Sequence, residues 1–265
     1  MKQKIITLLS DFGLKDPYVA EMKAVILSIC PEVKIIDVSH DISKFNIRMG
    51  AFVLASAVPY FPNGTVHVAV VDPGVGTKRR PIIVETKLGY FVGPDNGVLM
   101  LAASRGGLNH VYVIENAQYM LSRVSRTFHG RDVFAPTAAH LAKEVVASEF
   151  GKGIKDYIVP DFAKPRLKNG VVFGEVLHVD DFGNIITNIP SEILKKLAVH
   201  EQEGLKVEIG KKAVALKFCF AYGDVPRGEA LAIVGSHDFF EISINQGNAA
   251  EKYKVKTGDS IRVRE

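Results

Sequence analysis

The chain has 265 residues, of which 47% are hydrophobic and 23% charged, enough for one large domain or two smaller ones with an ample core. Lys and Arg number 33 against 29 Asp and Glu, a net charge of +4, and the basic residues cluster only at Lys78-Arg79-Arg80, so a nucleic-acid partner is not implied. Cys30 and Cys219 lie far apart without a paired pattern, and no stretch approaches the roughly 20 apolar residues of a membrane span, which argues for a reducing, cytoplasmic setting with no membrane partner.

Ile5 to Leu9 reads as a buried strand that ends at Ser10-Asp11-Phe12-Gly13. Asp16-Pro17 then supplies an N-cap with proline at the first helical position, and Val19, Met22, Ile26 and Ile29 follow at helical spacing until Pro31. A second strand, Val33 to Val38, ends at Ser39-His40-Asp41. Asn46 caps a helix whose inner face is Ile47, Ala51, Leu54, Ala55 and Val58, and a third strand, Thr65 to Val71, delivers Asp72. Alternating strands and helices with continuous apolar strands predict a largely parallel sheet covered by helices. Ligands in such sheets gather beyond the carboxyl ends of the strands, where Asp11, His40, Asp41 and Asp72 all fall.

After Asp72 the chain turns through Pro73, Gly74 and Gly76 and brings Arg79 and Arg80 round before the apolar run Ile82-Ile83-Val84. A carboxylate and a guanidinium seven positions apart across that turn can hold a water molecule between them; read alone, the residues favour a surface ion pair. Tyr90 to Val92, a helix around Val98 to Ser104 and a strand at Val111 to Ile114 follow. Asp132 is expected to cap a helix carrying Phe134, Ala138, Leu141, Ala142 and Val145, which sets His129 and Gly130 just ahead of a helix N-terminus.

Gly151 to Asn169 has no sustained period and reads as a linker. Beyond it come short strands with Gly-rich turns, predicting a small antiparallel β-barrel. The expected domains are an α/β unit over 1–160 and a β-barrel over 170–265. Asp180-Asp181-Phe182-Gly183-Asn184, the segment Ser236 to Glu241, and Asn245 to Ala250 mix aromatic and amide groups, a combination that stacks on and hydrogen-bonds to a flat heterocycle such as adenine. His40, Asp41, His178 and Asp180 could instead hold a catalytic metal, although no HExxH or clustered His pattern occurs. No dinucleotide fingerprint or phosphate-binding loop is present either.

Taken in order, Ser-Asp-Phe-Gly at 10–13, Val-Asp-Pro-Gly-Val-Gly at 71–76, Phe-His-Gly-Arg-Asp at 128–132, Asp-Phe-Gly-Asn at 181–184 and Gly-Asn-Ala-Ala at 247–250 resemble the S-adenosyl-L-methionine (SAM) hydrolases, or SAM hydroxide adenosyltransferases, relatives of the fluorinases and chlorinases. The resemblance spans essentially the whole chain. It implies an α/β domain followed by a β-barrel, a homotrimer with SAM bound between subunits, and no cofactor beyond SAM as substrate, with adenosine and L-methionine as products. By the same resemblance Asp72, Arg79 and His129 hold and activate the attacking water, with Arg80 a rival to Arg79, and Asp11 grips the ribose hydroxyls. Asp16 and Asp180 match residues near the methionine end, with Asp181 competing for the latter match. Phe45 and Tyr60 match aromatics around the ligand; Asn184, Ser236 and Ala249 match adenine and methionine contacts; Phe128, Phe182 and Glu241 complete the substrate-binding set. The halogenases carry Ser at the position of Gly130 and lack the acid at Asp72, so the hydrolase is the better match. The alternatives are a metal-dependent hydrolase and a non-catalytic SAM or adenosine sensor.

Overall fold

The β-branched run Ile5–Ser10 forms β1, and the six residues Thr65–Val70, every one of them buried, form β3 beside it. Such strands need cover on both faces, and helices supply it. The computed structural model describes residues 3–197, 204–210 and 212–265. They fall into two compact units, Met1–Pro160 and Asp161–Glu265.

In the first unit, β1 leads through α1 (Tyr18–Ile29) to β2 (Lys34–Ser39), and α2 (Ile47–Ala57) returns the chain to β3. β4 (Pro81–Thr86), β5 (Gly89–Pro94), α3 (Met100–Arg105), β6 (Leu108–Val113) and α4 (Ala135–Ala142) follow. The strand order is β2-β1-β3-β5-β4-β6; β1, β2, β3 and β5 run parallel, and β4 is antiparallel to both its neighbours. One face is packed by Met22, Ile26, Phe134, Ala138 and Leu141 from the helices against Ile6, Leu8, Val66 and Val68. Asn46 caps α2 as expected, its Oδ1 accepting the Met49 N–H at 3.0 Å.

Two local expectations fail. Pro17 rather than Asp16 occupies the N-cap of α1, without a side-chain capping bond, so the Asp16 carboxylate is not spent on the helix. Asp132 caps nothing: the helical backbone already starts at His129, runs through a π-turn over Gly130–Phe134 and continues as α4. The fully buried Asp132 carboxylate instead accepts Ser125 N–H at 2.7 Å and Arg131 Nε–H at 2.6 Å.

The stretch after Gly151 is not loose either. Gly153 bridges to Tyr112, Asp156 pairs with Arg80 at 2.9 Å, and Ile158 N–H donates to Asp95 at 2.8 Å, all within the first unit.

The second unit comprises β7 (Arg166–Lys168), β8 (Val171–Val179), β9 (Ile185–Pro190), α5 (Ser191–Leu194), β10 (Gly204–Ile209), β11 (Lys212–Cys219), β12 (Ala230–Val234), β13 (Phe239–Ile244), α6 (Ala249–Tyr253) and β14 (Ser260–Arg264). Seven strands close a barrel in the order β14-β10-β11-β12-β13-β9-β8, with β8 pairing back to β14 and β7 added outside β8. It is antiparallel except for β11–β12, which run parallel. Val172, Val176, Ile189, Val207, Phe240, Ile242 and Val263 fill its interior.

Candidate functional site

The sheet order places β2 on one side of β1 and β3 on the other, so the chain leaves β1 for one side and then crosses back. Loops at the carboxyl ends of β1 and β3 therefore diverge, and a crevice opens between them. Asp11 leaves β1 and Asp72 leaves β3 at this point. Both line a cavity of about 240 Å³ together with Asp16, Phe45, Phe128 and His129.

Asp72, Arg79 and His129 form one hydrogen-bonded set. Arg79 Nε lies 3.0 Å from each Asp72 oxygen, and Nη2 lies 2.5 Å from Oδ2 and 2.8 Å from His129 Nδ1. The turn makes this possible. Gly76 has φ +74°, and a Cβ there would strike the Arg126 carbonyl, so only glycine lets the chain double back so tightly. The carboxylate and guanidinium touch directly, so the expected water-sized gap between them is absent. Arg79 also stays behind the cavity wall, with its side chain 8% exposed and its charge 5.3 Å from the centre of the Phe134 ring. Its Nη1 is buried without a hydrogen-bond partner in the protein.

The bond from Arg79 also settles the histidine. Arginine has no acceptor, so His129 Nδ1 must accept and the proton of the neutral ring sits on Nε2. Burial, reinforced by the nearby guanidinium, moves the His129 pKa below the usual histidine value and keeps the ring neutral. Arg80 is no rival: its guanidinium is committed to Asp95 at 2.7 and 3.0 Å and to Asp156.

Asp11, 6% exposed, is held by a strap. Its Oδ2 accepts the Phe45 N–H at 2.8 Å, and its backbone carbonyl accepts Lys44 Nζ–H. Phe45 takes φ +63° to make this bond, and the residue is 67% exposed. Phe12, Tyr18 and Phe128 pack edge to face or tilted, with ring centres 5.1 to 5.7 Å apart, on the apolar side of the cavity.

In the barrel unit, Asp180, Phe182 and Asn184 line a second cavity, of about 660 Å³, with Tyr222 and the Ile244–Asn248 turn. Asp180 organises its own turn, residues 180–184: Oδ1 accepts the N–H of Phe182 at 3.0 Å and of Asn184 at 2.8 Å, and Oδ2 accepts Asn184 Nδ2–H at 2.9 Å. Asp180 rather than the exposed Asp181 thus faces the cavity. Phe182, 79% exposed, projects above it. Glu241 is buried; its Oε1 accepts from Tyr222 OH at 2.8 Å and from Ser243 Oγ–H at 2.7 Å, and burial together with this carboxylate pushes the Tyr222 pKa up.

The model of the SAM hydroxide adenosyltransferase N-terminal domain matches residues 6–151, and that of the C-terminal domain matches residues 174–262. The chain belongs to the SAM hydroxide adenosyltransferase family. Among its relatives, the (R)-S-adenosyl-L-methionine hydrolase of Salinispora tropica is 38% identical over 97% of both chains. The Methanocaldococcus jannaschii protein of the same name is 37% identical over 98% of this chain and 95% of its own. A fluorinase from an Actinoplanes species is 27% identical over 98% of this chain and 97% of its own. The crystal structure of an uncharacterized conserved protein from Thermotoga maritima superposes with a TM-score of 0.87 at 42% identity, covering 98% of this chain and all of that one.

Of the site residues expected for this family, Asp11, Asp16, Phe45, Asp72, Phe128 and His129 meet at one cavity, with Arg79 directly behind it. Asp180, Phe182 and Asn184 meet at the other. Tyr60 stands on the turn after α2, 75% exposed, and lines neither. Ser236, in an exposed turn after β12, and Ala249, buried at the start of α6, also lie off the second cavity's lining, and Glu241 reaches it only through Tyr222. His40 and Asp180 are committed to local hydrogen bonds, and no three His, Cys, Asp or Glu side chains among the described residues converge as a metal would require. Sequence reading missed Tyr18, Lys44 and Tyr222 at the two cavities. Tyr18 directly follows the Asp16-Pro17 pair, which was the signal available for it.

Proposed function

We propose that this protein hydrolyses S-adenosyl-L-methionine to adenosine and L-methionine, with Asp72, Arg79 and His129 as its catalytic residues. The observation that carries the reading is the hydrogen-bonded Asp72–Arg79–His129 set at the wall of a cavity shared with Asp11. Water attacks C5′ of the ribose, the C5′–S bond breaks, and its electron pair neutralises the sulfonium. The leaving thioether needs no proton, so the protein's task is to place one water in line and take up its proton.

Arg79 orders the set from behind the cavity wall, and His129 Nε2–H, on the far side of the ring from Arg79, is the donor available to fix that water beside Asp72. Asp72 takes the proton. A carboxylate is a weak base, but the water oxygen becomes strongly acidic as its bond to carbon forms, so a weak base suffices. Positioned proton transfer of this kind is worth on the order of 10²–10⁴ in rate.

Asp11 holds the ribose hydroxyls and Asp16 the ammonium of the methionine end, with Phe45 and Phe128 against the sugar. Tyr60 belongs with Phe45 among the aromatics around the ligand, and Asp180, Phe182 and Asn184, with Ser236, Glu241 and Ala249 nearer the periphery, serve the same ligand from a neighbouring copy in a homotrimer. What supports this is the exposure of Phe45, Tyr60 and Phe182, rings that a second copy would cover. A reducing cytoplasmic home agrees with two free, buried cysteines.

The test is incubation with each sulfonium epimer of SAM in H₂¹⁸O, followed by chromatography and mass spectrometry. Adenosine carrying ¹⁸O at the 5′-hydroxyl, with unlabelled methionine, is expected. Intact SAM after hours would leave a binding protein. Sedimentation in parallel reports the oligomer.

A further inference from the structure

A second polar line runs behind Asp11, outside the cavity. Ser10 ends β1 and is 1% exposed; its Oγ lies 2.7 Å from His40 Nδ1. On the other side of the ring, His40 Nε2 lies 3.1 Å from Asp37 Oδ1, off the line of a good hydrogen bond, and Asp37 Oδ2 takes Lys23 Nζ–H at 2.6 Å. The residue types are those of a serine nucleophile with its base and acid, but the arrangement is not. Ser10 and His40 do not line the cavity, and Ser10 Oγ is held by the Phe12 N–H at 3.3 Å.

The carboxylate gives the line a direction. Asp37 can only accept, so the neutral ring carries its proton on Nε2, facing Asp37 Oδ1, and Nδ1 accepts the Ser10 hydroxyl proton. Burial alone would raise the Asp37 pKa, but the hydrogen bond from Lys23 and the His40 ring close beside it outweigh burial and hold the group below the ordinary carboxylate value, so the line ends on a charge. A register shift between β1 and β2 at Leu8 and Leu9 carries His40 to the level of Ser10. The same residue also receives the Gly13 N–H on its backbone carbonyl at 2.8 Å. One histidine therefore pins both ends of the loop Ser10–Gly13, and Asp11 lies between the pins.

We propose that His40 is a positioning residue: through Ser10 and the backbone of Gly13 it holds the Asp11 carboxylate in the orientation that recognises a ribose diol, and so sets the preference for ribose over deoxyribose. The proposal rests on the SAM-hydrolase reading. It predicts an effect on sugar discrimination, which a general loss of stability would not produce.

The experiment compares the full-length protein with His40→Leu, His40→Asn and Ser10→Ala, since asparagine can place an amide oxygen near Nδ1 and alanine deletes a single oxygen. For each, kcat and KM are measured on SAM and on its 2′-deoxy analogue, and Kd for adenosine and 2′-deoxyadenosine by calorimetry. Wild type should favour the diol at least tenfold in kcat/KM and in Kd. His40→Leu and Ser10→Ala should compress that preference to threefold or less by raising KM for SAM, with kcat and the deoxy analogue changed less than twofold. His40→Asn should restore most of the preference. If His40→Leu does not fold, the other two variants carry the comparison. Equal losses on both sugars, or an unchanged preference, would overturn the proposal. Adenosine discrimination lost in the variants while wild type leaves SAM intact would sink the hydrolase reading but keep the role of His40.

Discussion

Nη2 of Arg79 donates to Nδ1 of His129 across 2.8 Å while the same nitrogen holds Asp72, so one guanidinium orders an acid and a histidine that are 57 residues apart. Because arginine can only donate, the histidine must be neutral and must present Nε2–H on its far side. The proposed catalytic role, the expected pH response and the expected requirement for arginine all follow from that contact.

Asp72→Asn, Arg79→Lys and His129→Ala should each lower kcat by roughly 10²–10⁴ while KM for SAM changes less than about fivefold. Lysine keeps the charge of Arg79 but cannot reach Asp72 and His129 together through a planar fork. Steady-state adenosine formation checks this, and an Arg79→Lys enzyme with near-normal kcat would contradict it.

Arg80→Ala should behave in the opposite way. Its loss leaves Asp95, with only 3% of its side chain exposed, short of its guanidinium partner, and frees the segment at Asp156. The expected result is a stability loss of roughly 2–3 kcal/mol in urea unfolding, discounted because Arg80 is itself partly solvated, with KM close to wild type.

The pH profile depends on His129. Its folded pKa lies below the usual 6.5, through burial first and Arg79 second, so the ring stays neutral as pH falls through 6.5. kcat should therefore be level from pH 8 down past 6.5 and decline only in more acid solution. An acid limb centred at 6.5 or above in the wild-type enzyme would show that the ring is not protected.

His67 predicts a separate stability effect. It lies between Thr7, bonded at 2.8 Å, and the ring of Phe91, and burial lowers its pKa from 6.5 to about 4. A depressed folded value means that the unfolded chain takes up the proton first. Stability is complete above pH 6.5, falls between 6.5 and about 4, and levels off below, for a total of about 3 kcal/mol from this group. Urea unfolding from pH 7.5 to 4.5 should show the decline, and His67→Asn should remove most of it.

Gly76→Ala tests the turn. The added Cβ meets the Arg126 carbonyl at a backbone φ of +74°, which should cost about 1–3 kcal/mol of stability. Displacing Arg79 should also lower kcat at least tenfold. A stable, fully active variant would mean that the turn does not position the guanidinium.

The sequence by itself determined the elements and the ends of the strands. Apolar runs without alternation could only be strands covered on both faces, and acids following them had to collect at one edge, so Asp11 and Asp72 were legible as neighbours before any coordinates. The ordered motifs identified the family for the same local reason, since each is a turn whose chemistry is written in consecutive residues. Tertiary structure decided what those residues do to one another. Only the fold shows that Arg79 touches Asp72 directly and reaches His129, that Arg80 turns away to Asp95 and Asp156, and that Asp16 and Asp132 are not helix caps. The direction of a side chain depends on packing from distant segments: Arg126 forces the glycine at 76, Phe134 backs Arg79, and Ser10 faces His40 only because a register shift brings β2 level with β1. Periodicity along the chain carries none of that information, because the partners are set by how strands and helices stack rather than by how they are spaced.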